Sequence, residues 1–201
     1  MLLQSPNLDD GDAAVRAWYD DSGNQRTTIF GLNLLVVSSI AFVWFVAVIR
    51  RRVGSRENRF FGTVFFGSAL LLSGAWLTAG VLAATPAIAA QSFDVVPDTG
   101  ATAALRAAAL GMASVVATRL EAVFIISATT VGRLSGAFPR WLVIVGYTVG
   151  LALMLVPVPN TVSIFVFPCW VAAASVLLLV RRDDVGIPVG GGLVEPVDDR
   201  R

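Results

Sequence analysis

Apolar residues run through this chain in five long stretches, separated by short segments that contain arginine, aspartate, glycine or proline. The stretches cover residues 27–49, 60–84, 105–132, 141–158 and 161–181. They show no two-residue alternation and are about twice as long as a strand of a membrane barrel, so they are predicted to be helices. About 20 helical residues cross a hydrocarbon layer of about 30 Å. The pattern therefore predicts an all-α membrane protein with five transmembrane helices in a compact bundle, residues 27–182.

The composition supports insertion into lipid. The chain has 201 residues, of which 56% are hydrophobic and 14% are charged, whereas a soluble domain has about 25% charged residues. The net charge of +1 is too small for a nucleic-acid-binding surface, which requires concentrated basic residues. With no histidine and one cysteine, we expect neither an internal disulfide framework nor a zinc site, and no cofactor.

Arginine distribution predicts the orientation. Arginines cluster after the first stretch, after the third and at the end of the fifth, but the 85–104 and 157–160 loops contain none. The N-terminal stretch has two arginines against five aspartates. The clusters are Arg50, Arg51, Arg52, Arg56 and Arg59, then Arg133 and Arg140, then Arg181 and Arg182. The positive-inside rule predicts an external N-terminus and a cytoplasmic C-terminus in the bacterial inner membrane. The polar tail, 183–201, is predicted to be disordered and cytoplasmic.

The external segment, residues 1–26, contains a predicted short amphipathic helix over 10–22. Its apolar side chains recur at helical spacing under an acidic face, and Gly23 offers a left-handed stop. The apolar stripe consists of Val15, Trp18 and Tyr19. Because tryptophan and tyrosine favour lipid headgroups, we expect an interfacial helix outside the membrane, with the aromatic pair as anchors. A solvated linker helix and an element that docks a partner are both compatible with this pattern.

Residues 132–157, "GRLSGAFPRWLVIVGYTVGLALMLVP", place an arginine, a short turn and Pro-Arg-Trp before an apolar helix. This arrangement resembles a group of small actinobacterial integral membrane proteins of unknown function. The acidic "SPNLDDGDAAVRAWYDD" is similar to the segment that follows the first membrane helix in that group, and "FPCWVAAASVLLLVRR" resembles its last helix. The resemblance implies a further helix before the acidic segment, where only "MLLQ" is present. It implies no catalytic residues, because the group has none established.

Two charges lie inside the third stretch. Arg119 is thirteen residues from Arg106 and fourteen from Arg133, so a continuous helix places it near the centre of the bilayer, where a charge costs about 2.5–3.5 kcal/mol. Arg119 and Glu121 are about 200° apart on a helix and cannot pair well. Glu121 shares a face with Arg106, but about four turns separate them. The expected partners are neutral polar residues of other stretches: Asn33, Ser38, Ser39, Ser68, Ser73, Thr78, Tyr147 and Thr148.

Three interpretations of this pair stay open from the sequence. The two charges could tie helices together or specify an interface with another chain. They could line a polar cavity for an ion, a proton or an amphiphile. Alternatively, the helix could be broken near Arg119, which would bring both charges closer to water.

Small residues indicate where helices approach closely. Gly146 and Gly150 form a GxxxG motif, and Gly67 and Gly74 share one face of the second stretch. Such residues let helix backbones pack together, within the chain or between copies of it. Trp141, at the start of the fourth stretch, is expected to anchor the membrane interface.

These observations favour a non-catalytic protein. An enzyme requires a nucleophile with a base, paired carboxylates or a metal, and the spans contain no histidine and a single carboxylate. We therefore expect no enzymatic activity. The favoured function is an accessory or assembly subunit that binds partner helices or lipid, with a membrane-protein partner or a second copy of the chain. The alternative is a small transporter or channel-like protein that uses Arg119 and Glu121.

Overall fold

The computed structural model describes residues 11–53, 59–95, 98–155 and 161–180, and none of these residues lies in a strand. The helices are α1 (Asp12–Asp20), α2 (Ser22–Val53), α3 (Arg59–Phe93), α4 (Thr99–Gly111), α5 (Thr118–Leu134), α6 (Arg140–Leu155) and α7 (Thr161–Val180). A six-residue π-helical segment, Met112–Ala117, joins α4 to α5 without a break. The predicted all-helical class is confirmed for this part of the chain.

Three helical stretches are long and apolar enough to cross a membrane: Ser22–Arg50, Phe60–Phe93 and Thr99–Leu134. Helix α6 has 16 residues, which span about 24 Å and are shorter than a hydrocarbon layer of about 30 Å. The apolar stretch found in α7, Phe165–Leu177, is also shorter than a span. Crossing of the membrane by α6 and α7 therefore stays a prediction. The predicted tail, 183–201, lies outside the described residues.

The predicted loop at 85–104 is wrong over most of its length. Helix α3 continues to Phe93, and α4 begins at Thr99 after Asp98, whose Oδ1 accepts the Ala101 N–H at 2.8 Å. Pro86 lies inside α3 and is fully buried. Helix α3 packs against α4, and this part of α3 contains the buried small side chains Ala84, Ala87 and Ala90. Helix packing here outweighs the backbone hydrogen bond that a proline removes.

The junction between α1 and α2 differs from the predicted glycine stop. Asp21 has extended backbone angles and ends α1, and its Oδ2 accepts the Asn24 N–H at 3.1 Å, which caps the start of α2. The Asn24 and Gln25 side-chain amides donate to the carbonyls of Trp18 and Tyr19 at 3.1 and 2.7 Å. Side chains therefore satisfy the last carbonyls of α1, and Gly23 belongs to α2.

Helix α1 docks on its own chain. Val15 and Tyr19 are 1% and 5% exposed and share an apolar cluster with Ala87 of α3, while Trp18 packs edge-on against Tyr19 with ring centroids 4.8 Å apart. The expectation that this stripe faces lipid headgroups is wrong for Val15 and Tyr19. The reason is the C-terminal extension of α3, which supplies an apolar surface that the sequence pattern assigned to a loop.

Alkaline pH is expected to release α1. Burial raises the pKa of Tyr19, and the nearby Arg106 charge opposes the rise. The docked state favours the neutral phenol of Tyr19. The contribution of Tyr19 to docking is therefore complete below its ordinary pKa of about 10, and it is lost as the pH rises through the higher pKa of the docked state. A fluorophore on Ala14→Cys, in a Cys169→Ala background, should lose anisotropy over that range. Tyr19→Phe should keep the label immobile there; release of both proteins at one pH would contradict the assignment.

An aromatic cluster holds the main core together. The Phe124 ring of α5 lies 5.2 Å from Phe42 of α2, 5.0 Å from Phe65 of α3, 5.6 Å from Phe167 and 6.5 Å from Trp170 of α7, centroid to centroid. Around these rings lie buried aliphatic side chains from α2, α3, α5, α6 and α7. Phe124 therefore joins four helices, and α6 packs against the opposite side of α5.

Two ends of the molecule need names. Arg133 lies in the last turn of α5 and Arg140 begins α6; we call this the arginine end. Helix α1 contacts the C-terminal part of α3 and also α4; we call this the α1 end. Helices α5 and α6 run antiparallel. Arg133 of α5 and Arg140 of α6 lie at the arginine end, and at the other end Arg119 Nη1 of α5 donates to the Leu153 carbonyl of α6.

Candidate functional site

The third span is continuous through its two charges. The π-helical segment Met112–Ala117 ends directly before Thr118, so Arg119 and Glu121 lie in the first turn of α5. Thr118 Oγ1 donates to the Ala113 carbonyl at 3.5 Å, across five residues. The interpretation of a helix broken near Arg119 is therefore wrong: the helix widens there and does not stop. Widened turns of this kind occur frequently at functional sites.

Arg119 binds the end of α6. Its Nη1 donates to the Leu153 carbonyl at 3.5 Å, in the last turn of a helix that ends at Leu155. The last four carbonyls of a helix lack intrahelical partners, and the helix dipole favours a cation at that end. The guanidinium therefore fits this position electrostatically and ties α5 to α6.

The position of Arg119 along α5 indicates its depth in the span. Fifteen residues separate it from Leu134, the last residue of α5, which corresponds to about 22 Å of helical rise. In a layer of about 30 Å, a span that starts at Leu134 puts Arg119 about midway between the centre and the opposite boundary. The prediction from Arg106 and Arg133 that Arg119 lies near the centre depends on where the span begins, and it stays a prediction.

Arg106 belongs to a different cluster. It lies on α4, close enough to the Tyr19 hydroxyl for its charge to act on that group. Thirteen residues of helix separate it from Arg119, about 20 Å of rise. The structure therefore does not bring Arg106 together with Glu121, although the two were predicted to share a face. The π-helical segment lies between the two residues and has more residues per turn than an α-helix. It therefore changes the angle between Arg106 and Glu121 about the helix axis.

Glu121 is buried among the helices. It is 2% exposed, and its Oε1 accepts the indole N–H of Trp76 at 3.2 Å. Within the described part of the chain, this neutral donor on α3 is its hydrogen-bond partner, and no arginine there forms an ion pair with it. The sequence pattern does not identify Trp76 as a partner, because a tryptophan in an apolar stretch is equally typical of an interface anchor. Its N–H is a donor that requires a partner when buried.

The predicted polar partners do not reach the two charges. Four of the eight bond to carbonyls of their own helices, a common outcome for short polar side chains in helices. These residues are Asn33, Ser68, Ser73 and Thr78. Tyr147 instead shares a hydrogen bond of 3.0 Å with Thr130 on α5. Local backbone acceptors therefore compete successfully with distant charges for these hydroxyls and amides.

Glu121 lies on the wall of a cleft of about 320 Å³ between α2, α3, α5 and α7. Two of the predicted polar residues, Ser38 and Ser39 of α2, also line it, beside apolar and aromatic side chains. The aromatic members are Phe42, Trp76 and Phe167. The cleft is partly open, and its volume falls in the range of about 300–1,000 Å³ that small-molecule sites occupy. It therefore combines an apolar chamber with one buried acid.

The four predicted packing glycines behave differently from one another. A Cβ on Gly146 would overlap Thr129 Oγ1, and one on Gly150 would lie 2.6 Å from Ile126 Cγ1, so both lie at the contact between α5 and α6. In contrast, a Cβ on Gly67 or Gly74 would meet no atom of the described residues within 4 Å. The described part of the chain therefore provides no close helix contact at these two glycines, and packing between copies stays a prediction. Gly80 and Gly132, which the sequence did not single out, are tightly packed against Leu35 and Phe138.

Trp141 has the exposure expected of an interface anchor. It is 53% exposed in the first turn of α6, beside Arg140 at the arginine end. Trp18 is only partly buried at the edge of the α1 cluster, whereas Tyr19 points inward. The anchoring role of Trp141 at the membrane surface stays a prediction.

Comparison of the chain with protein-family models, curated proteins and solved structures finds no match. The resemblance of residues 132–157 to the actinobacterial group therefore stays a prediction. Interpretation of the site depends on its own chemistry: one buried carboxylate, one neutral donor and an apolar cleft.

Proposed function

We propose that this chain is a non-catalytic multi-pass membrane protein that binds a lipid-soluble molecule in the cleft at Glu121. The observation that carries the proposal is a buried carboxylate on the wall of a cleft of about 320 Å³. Placing an acid among helices costs several kcal/mol unless it is compensated, and such groups mark functional sites in membrane proteins. A single indole N–H at 3.2 Å compensates it only in part.

The cleft favours a small amphiphile over a partner helix as the bound molecule. An α-helix with its side chains is about 10–12 Å wide, whereas a volume of about 320 Å³ suits a small ligand. The sequence predicts an accessory subunit that binds either partner helices or lipid. The size of the cleft favours the second of these, a subunit that binds a lipid-like molecule. A membrane-protein partner or a second copy would then contact the outer surfaces of the helices.

Transport is the second candidate function. The π-helical segment Met112–Ala117 closely precedes Arg119 and Glu121, and such widened turns occur frequently at functional sites. A transporter would release the bound molecule on the other side of the membrane. Uptake of the identified ligand into proteoliposomes distinguishes it from a binding subunit, which would retain the ligand without net flux.

The proposed protein crosses the bacterial inner membrane five times, with an external N-terminus. Helix α7 has 20 residues, enough for about 30 Å, and the arginine clusters support this orientation. On a Cys169→Ala background, a cysteine at Ala101 should react with an impermeant reagent in intact cells, and one at Ser135 should not. The reverse labelling pattern would contradict the orientation.

Photocrosslinking tests whether the cleft is occupied. A photoreactive amino acid at Ser39, which lines the cleft, should capture a small molecule in native membranes, detected as a defined mass increase of the intact protein. The matched control is Val37, which is exposed on the same helix and should capture only bulk phospholipid. Identical adducts at both positions, or protein adducts alone at Ser39, would refute the proposed function.

A further inference from the structure

The charge of Glu121 has no counter-charge among the described residues. Arg119, two residues away, donates to the Leu153 carbonyl on the opposite side of α5. The partner of Glu121 is the neutral indole of Trp76. A buried carboxylate is costly unless a positive charge or several donors accompany it. A cationic ligand would supply the missing charge, and its binding would gain from an acid that is already desolvated.

The lining of the cleft suits a cation on an apolar body. The rings of Phe42, Trp76 and Phe167 line the same chamber as Glu121. Aromatic faces attract ammonium groups within about 6 Å of the ring centre, and desolvated contacts are the stronger ones. The remaining walls are largely aliphatic, with hydroxyls from Ser38 and Ser39. Such a chamber accepts an alkyl or aryl group far better than a hydrated inorganic ion.

We infer that the cleft binds a lipophilic monocation, an amine or quaternary ammonium group on an apolar body, with Glu121 as its counter-charge. The inference rests on the proposed function, because it names the ligand class of the same site. One buried acid balances one positive charge, so a dication would leave one charge uncompensated. A lysine or arginine side chain of a partner helix would offer the same charge, but the cleft volume of about 320 Å³ suits a separate small molecule.

The test uses the full-length protein in phosphatidylcholine nanodiscs and radiolabelled octyltrimethylammonium. Saturable binding is expected, and Glu121→Gln should weaken it at least tenfold. The glutamine keeps the size of the side chain and an oxygen for Trp76, so folding should be preserved. Asp20→Asn, which removes one exposed carboxylate, is the matched control and should bind like the wild type. Ser38→Trp should also weaken binding, because it fills the mouth of the cleft without changing its charge.

A neutral isostere, 2,2-dimethyldecane, separates charge from hydrophobicity because carbon replaces the ammonium nitrogen. It should compete at least tenfold less well than octyltrimethylammonium. Equal competition, or wild-type binding by Glu121→Gln, would overturn the monocation while leaving the Ser39 crosslink, and so the proposed function, intact. Binding of a synthetic transmembrane peptide with one central lysine, but not of octyltrimethylammonium, would overturn it in favour of a partner helix.

Discussion

Replacing Phe124 by alanine is expected to destabilise the folded protein by about 3–5 kcal/mol, the range for large aromatic side chains in cores. Phe124 is 1% exposed, and four aromatic rings from three other helices lie within 6.5 Å of its centroid. The substitution leaves a cavity where α2, α3 and α7 meet α5, and it removes aromatic pairs worth about 0.5–1.5 kcal/mol each beyond burial. Reversible unfolding in mixed micelles, followed by far-UV circular dichroism, gives the free energy.

The matched control is Phe30→Ala on α2. Phe30 is 64% exposed, so its removal opens no cavity, and the free energy of unfolding should change by about 0.5 kcal/mol or less. Equal losses for the two variants would show that Phe124 is not the centre of the core. Such a result would also contradict the packing of α7 against α5.

Replacing Gly146 by alanine is expected to destabilise the contact between α5 and α6 by about 1–3 kcal/mol, the usual cost of overpacking. The new methyl group would overlap Thr129 Oγ1, a fully buried side chain. Thr129 cannot easily turn away, because a β-branched side chain has few rotamers in a helix. Gly150→Ala should act similarly, since its methyl group would lie 2.6 Å from Ile126 Cγ1 and 3.3 Å from the Ala122 carbonyl oxygen.

Replacing Gly74 by alanine should instead increase the free energy of unfolding. A methyl group there meets no atom within 4 Å in the described part of the chain, and alanine is favoured over glycine inside a helix by about 0.5–1 kcal/mol. Unfolding free energies measured as for Phe124 compare the two sites directly. Destabilisation by Gly74→Ala to the extent seen for Gly146→Ala would indicate a contact of α3 with another chain.

Local patterns in the sequence determined the class of structure. Long apolar runs are sufficient to predict helices because each helix satisfies its own backbone hydrogen bonds, and three of the predicted spans have the required length and composition. The separation of Arg119 from Glu121 also followed from local geometry, since residues two apart point in different directions on any helix. The GxxxG motif also predicted the contact at Gly146 and Gly150, because residues four apart lie on one face of a helix and small side chains there let two helices approach closely.

Only the tertiary structure decided what each side chain meets. Trp76 reaches Glu121 from a helix 45 residues away in sequence, and Leu153 receives Arg119 because α6 ends at that depth. The docking of α1 depends on a part of α3 that turn-forming residues had marked as a loop. Hydropathy reports whether a segment is buried in lipid or protein, but it does not report the rotation and depth of neighbouring helices. Those two quantities place the carboxylate of Glu121 on the wall of a cleft and leave Gly74 without a close neighbour among the described residues.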